Sequence, residues 1–172
     1  MEVSASQVKE LRERTGAGVM ECKRALVEAG GNPQKAAEIL ERQGLARAEK
    51  KAGRLASQGL VDCYIHAGGR IGAIVEINCE TDFVARTDDF RTLAHDIAMQ
   101  IAATAPKYIA KSDVPESEAD RADELALLAQ SFIKENNVTI EDLIKRYVAR
   151  VGEAIRVRRF VRYELGEPVD EA

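Results

Sequence analysis

Tryptophan is absent from the 172 residues, and aromatic side chains make up only 5% of them. A core must therefore be built from Ala, Leu, Ile and Val. Cysteine is scarce as well. Cys22, Cys63 and Cys79 are an odd set without a C-x-x-C pair, which excludes a disulfide framework and points to reduced thiols in a cytosolic setting. They read as small buried apolar residues. No apolar run approaches the roughly 20 residues that span a bilayer, so no membrane partner is expected. Met1-Glu2-Val3-Ser4 has neither the basic start nor the apolar centre of a secretory leader. The expected location is cytoplasmic.

Catalytic constellations are missing too. There is no phosphate loop, no nucleophile elbow and no Cys–His pair with an orienting acid. Cys79 stands near Glu80 and Asp82, whose charge disfavours a thiolate. Of the two histidines, His66 has no second ligand at metal-binding spacing, and His95 lies at the margin of a helical stripe. The chain is not expected to be an enzyme or to hold a metal or cofactor. Positive charge is not in excess either. A net charge of -4 argues against a nucleic-acid partner for the chain as a whole, because phosphate neutralisation needs clustered Lys and Arg.

What is present is a globular balance, 45% apolar and 31% charged. Ser4 and Gln7 have capping-box spacing, with Val8 and Leu11 on the buried side of a first helix. A second helix runs from about Val19 to Ala29. Asn32-Pro33 begins a third, which Gly44 is expected to end. Residues 1–44 thus read as a three-helix domain, and residues 45–59 as a solvated basic linker helix. Within the domain, Val19 and Met20 are either bundle core or a partly exposed grip on a partner helix.

Residues 60–166 read as an α+β core, with 167–172 as a tail. Leu60–Ala67 and Arg70–Cys79 alternate with a period of two around Gly68-Gly69, which reads as a hairpin. That register sets Cys63 opposite Ile74 and Cys79 opposite Gln58. After Arg86 the period changes: Phe90, Leu93, Ala94, Ile97 and Ile101 recur at helical spacing behind a Thr87-Asp88-Asp89 cap. An amphipathic helix is expected through Leu125, Leu128, Phe132 and Ile133, broken at Glu135-Asn136-Asn137. Thr139 and Asp142 start another helix. A final strand spans Ile155–Leu165; Ile155, Val157, Val161, Tyr163 and Leu165 share one parity, while Arg159 and Phe160 break the pattern. The fold class is α+β, with three antiparallel strands packed with helices behind a helical N-terminal domain.

The joint between strand and helix is Asn78-Cys79-Glu80-Thr81-Asp82-Phe83-Val84-Ala85-Arg86. Residues at such joints are exposed on a rigid scaffold and often carry function. On the residues alone, Thr81 or Asp82 reads as a helix cap, with Phe83 and Val84 packed inward.

This run resembles the signature segment of the elongation factor Ts family, guanine-nucleotide exchange factors of elongation factor Tu. Leu11–Met20 and Val157-Arg158-Arg159-Phe160 with Arg162–Gly166 are similar to two further family segments. The resemblance implies a ubiquitin-associated-like N-terminal domain that docks on the nucleotide-binding domain of elongation factor Tu, with Val19 and Met20 as contact candidates. It also implies that Thr81, Asp82, Phe83 and Val84 meet the partner and dislodge its Mg²⁺, with Phe83 as the wedge. Longer family members carry two related subdomains in the core. This chain has one strand–helix unit, so the resemblance to short members implies a homodimer through the sheet. Two other readings stay open: an adapter that grips a helix or nascent chain through residues 1–44, and a translation protein touching RNA through Arg42–Arg54.

Overall fold

A computed structural model describes residues 3–51 and 53–168. The expected tail lies outside them from Val169 onward, as do Met1, Glu2 and Ala52. The chain divides into two compact units. Of the described residues, one holds 3–51 together with Lys145–Gly152; the other holds 53–144 and 153–168.

The helical unit begins with α1 (Ala5–Thr15), α2 (Val19–Glu28) and α3 (Pro33–Lys51). The first starts where its capping box lies: Gln7 N–H donates to Ser4 Oγ, and Gln7 Oε1 accepts from Ser4 N–H. Asn32 Oδ1 accepts from Gln34 and Lys35 N–H and caps α3. Between these ends, Val8, Leu11, Cys22, Ala25, Leu26, Ala36 and Leu40 form the buried cluster.

Gly44 does not end α3, and no separate linker helix begins after it. The helix runs unbroken to Lys51. A Cβ at Gly44 would sit 2.8 Å from the Ala149 methyl. The glycine thus serves close packing of α3 against the last turns of α7 (Ile140–Val151), a use that helical periodicity does not distinguish from a stop.

The second unit is built on a sheet of β1 (Gln58–Ile65), β2 (Ile71–Cys79) and β5 (Ile155–Glu164), ordered β1-β2-β5 and antiparallel throughout. Cys63 pairs with Ile74 and Gln58 with Cys79, in the register expected from the turn. The connection is a four-residue loop, Ala67–Arg70, closed by a hydrogen bond from His66 N–H to Ile71 O. Two elements follow β2: the single turn α4 (Asp82–Ala85) and the long α5 (Asp88–Thr104). The Phe90, Leu93, Ile97 and Ile101 stripe of α5 is fully buried, and α5 packs on β1 and β2.

The stretch expected to be an amphipathic helix before Asn136 is not one. It consists of 3-10 turns, the single turn α6 (Ala122–Leu125) and a small hairpin of β3 (Ser131–Phe132) and β4 (Glu135–Thr139). Of the expected apolar face, Leu125 and Phe132 are buried, Leu128 is half-buried and Ile133 is exposed; the Tyr108 and Ile109 carbonyls and Gln100 of α5 supply hydrogen bonds in place of a helix's own. The fully buried Gln100 donates to Ser131 O (3.1 Å) and accepts from Ile133 N–H (2.9 Å). A buried polar side chain here satisfies backbone groups, which lets an irregular segment sit in the core.

β5 also departs from the expected pattern. Its register shifts opposite Glu76–Ile77, because Arg158 is an extra residue in the strand. Such a bulge reverses which side chains face which side. Ile155 and Val157 therefore point to the α5 side, where Val157 is 7% exposed, whereas Val161 and Tyr163 face the other way. Arg162 takes the inward position and donates to Ala102 O of α5 (3.1 Å). Val161 and Tyr163 join Val61, Ile65, Ile74 and Cys63 on the open face of the sheet. Cys22 and Cys79 are buried as expected, but Cys63 is exposed, because the pleat sends every residue of its parity outward.

Candidate functional site

The joint after β2 is fixed from both sides. Thr81 is the N-cap of α4, with its Oγ1 accepting from Val84 N–H at 3.4 Å. Its own N–H and O–H go to a residue far along the chain. Glu153 Oε2 accepts from Thr81 N–H (3.0 Å), and Glu153 Oε1 accepts from Thr81 Oγ1–H (2.7 Å). The neighbouring residue returns the contact: Glu80 Oε1 accepts from Ala154 N–H at 2.7 Å. At the other end of α4, Thr87 Oγ1–H donates to Val84 O (2.8 Å) while the same oxygen accepts from Phe90 N–H and caps α5 (3.2 Å).

Phe83 stands on this clamped turn and is 80% exposed. The inward packing that a capped helix start suggests for it does not occur. Asp82 is not the cap. It is half-exposed, and its Oδ2 pairs with Arg86 at 2.9 Å on the same turn. Val84 is half-buried, and Ala85 supplies the buried anchor. Thr81, Asp82, Phe83 and Val84 are thus brought together as one protruding tip. Burial pushes the Cys79 thiol up to about 11, and the Glu153 carboxylate adds to the shift. The thiol donates to Thr81 O at 3.1 Å.

Val19 and Met20 lie in the helical unit, at the start of α2. They are 52% and 64% exposed, so they do not belong to the bundle core. With Val3 and Val8 they line an apolar groove between α1 and α2 whose rim carries Lys9, Arg12 and Lys23. Among the described residues, no group of three or more His, Cys, Asp or Glu could hold a metal ion, and no helix is long and apolar enough to cross a membrane.

Glu153 is the site residue that sequence reading misses. It falls between a helix and a strand in Gly152-Glu153-Ala154, with no periodicity to mark it, and only the fold sets it beside Thr81. The faint available signal is a carboxylate directly after a glycine with φ of 78°, a position where the chain must turn.

The chain thus presents an exposed aromatic tip on its α+β unit and an apolar groove on its helical unit. Comparison with known sequences assigns the class. Residues 5–126 match the family model for elongation factor Ts. The chain is 51% identical to elongation factor Ts of Carboxydothermus hydrogenoformans, in an alignment covering 96% of this chain and 90% of the relative. It is 50% identical to that of Desulfitobacterium hafniense, covering 99% and 92%, and 48% identical to that of Moorella thermoacetica, covering 97% of each. The chain belongs to the elongation factor Ts family of translation elongation factors.

Proposed function

We propose that this chain binds elongation factor Tu in its GDP-bound and nucleotide-free states and promotes release of GDP, so that GTP can take its place. The observation that carries the reading is Phe83, a large apolar side chain held 80% exposed on a turn clamped at both ends. Exposing such a ring is unfavourable by its transfer free energy unless a partner covers it. A GDP bound to such a partner is held partly through Mg²⁺ bridging phosphate oxygens to protein ligands. An aromatic wedge displaces the segments that position those ligands, and Asp82 beside it competes for polar groups there. Thr81 and Val84 complete the contact. By linkage, nucleotide and exchange factor each lower the other's affinity. The chain needs no chemistry of its own for this, nor a cofactor.

Val19 and Met20, in their basic-rimmed groove, are the docking contacts of the N-terminal domain, and the core of residues 60–166, apart from Lys145–Gly152, which pack with the helical unit, is the exchange and dimerisation domain. The expected location is the cytoplasm. Direct RNA binding through α3 is not favoured. Part of its positive charge is already engaged: Arg47 pairs with Glu21, and Lys51 donates to Gly152 O.

The open sheet face supports a twofold homodimer. Val61, Ile65, Ile74, Val161 and Tyr163 form a contiguous exposed apolar surface, of the kind that marks association. The Arg side chains of β5 do not oppose this. Arg162 lies on the α5 side, while Arg158 and Arg159 pair with Glu76 at 3.5 and 2.7 Å.

The central test is release of labelled GDP from elongation factor Tu. A substoichiometric amount of the chain should accelerate it with no GTP or GDP hydrolysis, and an unchanged rate across a wide concentration series overturns the proposal. The dimer is tested by light scattering at micromolar concentration. We expect about twice 18.9 kDa, falling to the monomer mass in Val161→Glu with helicity retained. A monomer mass for the native chain at every concentration removes the dimer.

A further inference from the structure

We infer that Glu153 is a positioning residue for exchange: its two carboxylate oxygens hold Thr81 and thereby aim Phe83. The inference rests on the exchange reading above and names a residue outside the Thr81–Val84 tip.

A helix of four residues cannot hold its own geometry, because a single turn fixes several dihedrals for very few hydrogen bonds. The direction of α4 is therefore set by what grips its ends. On the α5 side the grip is Thr87, adjacent in sequence. On the β2 side it is Glu153, which takes both donors of the cap residue, at 3.0 and 2.7 Å. Each carboxylate oxygen receives one of them, so the pair fixes position and rotation together, as bidentate contacts do. It also settles the role of the Thr81 hydroxyl. With its proton committed to Glu153, its oxygen is left to accept from Val84 N–H. Phe83, being largely exposed, has little packing of its own to fix it and follows the backbone of the turn. The bond from Ala154 N–H to Glu80 Oε1 holds the two strand ends in register, the Cys79 thiol donates to Thr81 O, and Glu153 takes both donors of the cap. A wedge acts only if it enters at the right angle, so loss of this grip should slow nucleotide displacement more than it weakens docking.

The test uses the full chain and elongation factor Tu loaded with a fluorescent GDP, with rates normalised to folded protein. Glu153→Ala should lower the maximal rate of GDP release about tenfold, because the turn loses its orientation, with the half-saturating concentration changed by less than about twofold. Glu153→Gln should retain most of the rate, since its carboxamide oxygen can accept from Thr81 N–H while its NH₂ donates to Thr81 Oγ1. Phe83→Ala added to Glu153→Ala should cost less than Phe83→Ala alone, because both act through one element. A purely structural Glu153 would lower the melting temperature and leave the normalised maximal rate and the cycle additive. If Glu153→Ala exchanges normally while Phe83→Ala does not, the positioning role falls and the wedge stands. If both are silent, the exchange reading falls and takes this inference with it. Should Glu153→Ala not fold, Thr81→Val, which removes the hydroxyl at nearly constant volume, should lower the maximal rate several-fold. A native rate from that variant overturns the inference.

Discussion

Two phenylalanines begin from the same local chemistry and end in opposite environments. Thr81 caps α4 through Val84 N–H, and Thr87 caps α5 through Phe90 N–H. Each threonine is followed at once by aspartate and, within the first helical turn, by phenylalanine. Yet Phe83 is 80% exposed and Phe90 is fully buried. A cap determines where a helix begins, not which way its first turn faces. The difference lies downstream. Behind Phe90, α5 continues for 17 residues, with Leu93, Ile97 and Ile101 buried on the same side, so the ring joins a stripe that must be buried against the sheet. Behind Phe83 the helix ends after four residues, and only Ala85 is buried. One aromatic residue completes a core; the other is left exposed.

The largest effect that tests this contrast is Phe90→Ala. It should cost about 3–5 kcal/mol of folding free energy, the cavity cost of deleting a buried ring, read as a shift in the urea midpoint at constant slope. Phe83→Ala should change stability by no more than about 0.5 kcal/mol, as surface substitutions do. It should instead lower GDP exchange by roughly 2 kcal/mol, the typical weight of an aromatic interface anchor. Comparable destabilisation by the two variants would erase the distinction and make Phe83 a core residue.

The same contrast shows how far the sequence is legible. Features governed by near neighbours read correctly: the Ser4 and Asn32 caps, the β1–β2 register, the Thr87 cap with its buried stripe, and the three-stranded α+β class. Features settled by distant residues do not. Gly44 reads as a helix stop because nothing near it announces Ala149. The Leu125–Ile133 stretch reads as helix because the groups that take up its hydrogen bonds, Gln100 and the Tyr108 and Ile109 carbonyls, lie in other elements. In β5, Arg159 and Phe160 visibly disturb the alternation, but a bulge needs the partner strand before its position at Arg158 can be assigned. At the site, the family motif marks residues 81–84, whereas the direction of Phe83 and the grip of Glu153 exist only once β5 begins beside β2.

A smaller effect sharpens the comparison at the buried end. Thr87→Ala removes the cap of α5 and the donor to Val84 O together. It should cost about 1 kcal/mol, several times less than Phe90→Ala, because it disturbs the start of the stripe and not its packing. Equilibrium urea unfolding measures it. A loss as large as that of Phe90→Ala would mean that the cap, not the buried ring, holds α5 to the sheet.

The smallest expected effect concerns the thiol immediately before the exposed turn. Cys79 is an acid whose proton is held more tightly in the folded chain, first by burial and then by the Glu153 carboxylate, so its value rises from the ordinary 9.0 to about 11. The sign follows from proton binding. Below pH 9 both states carry the proton and the group contributes no pH dependence. Between about 9 and 11 the unfolded chain releases it and the folded chain does not, so stability falls as pH rises through this window. Comparing unfolding at pH 8 and pH 9.5 under reductant, native chain against Cys79→Ala, should expose an excess loss of somewhat under about 1 kcal/mol in the native chain. Cys63, exposed on the open sheet face, should react with a thiol reagent at pH 8 well before Cys79 does, and its protection should follow dimer formation. Equal pH slopes for the two proteins, or prompt modification of Cys79, would show that the turn behind Phe83 opens readily. A freely opening turn could not aim a wedge, so this small titration bears directly on why Phe83 is held outward at all.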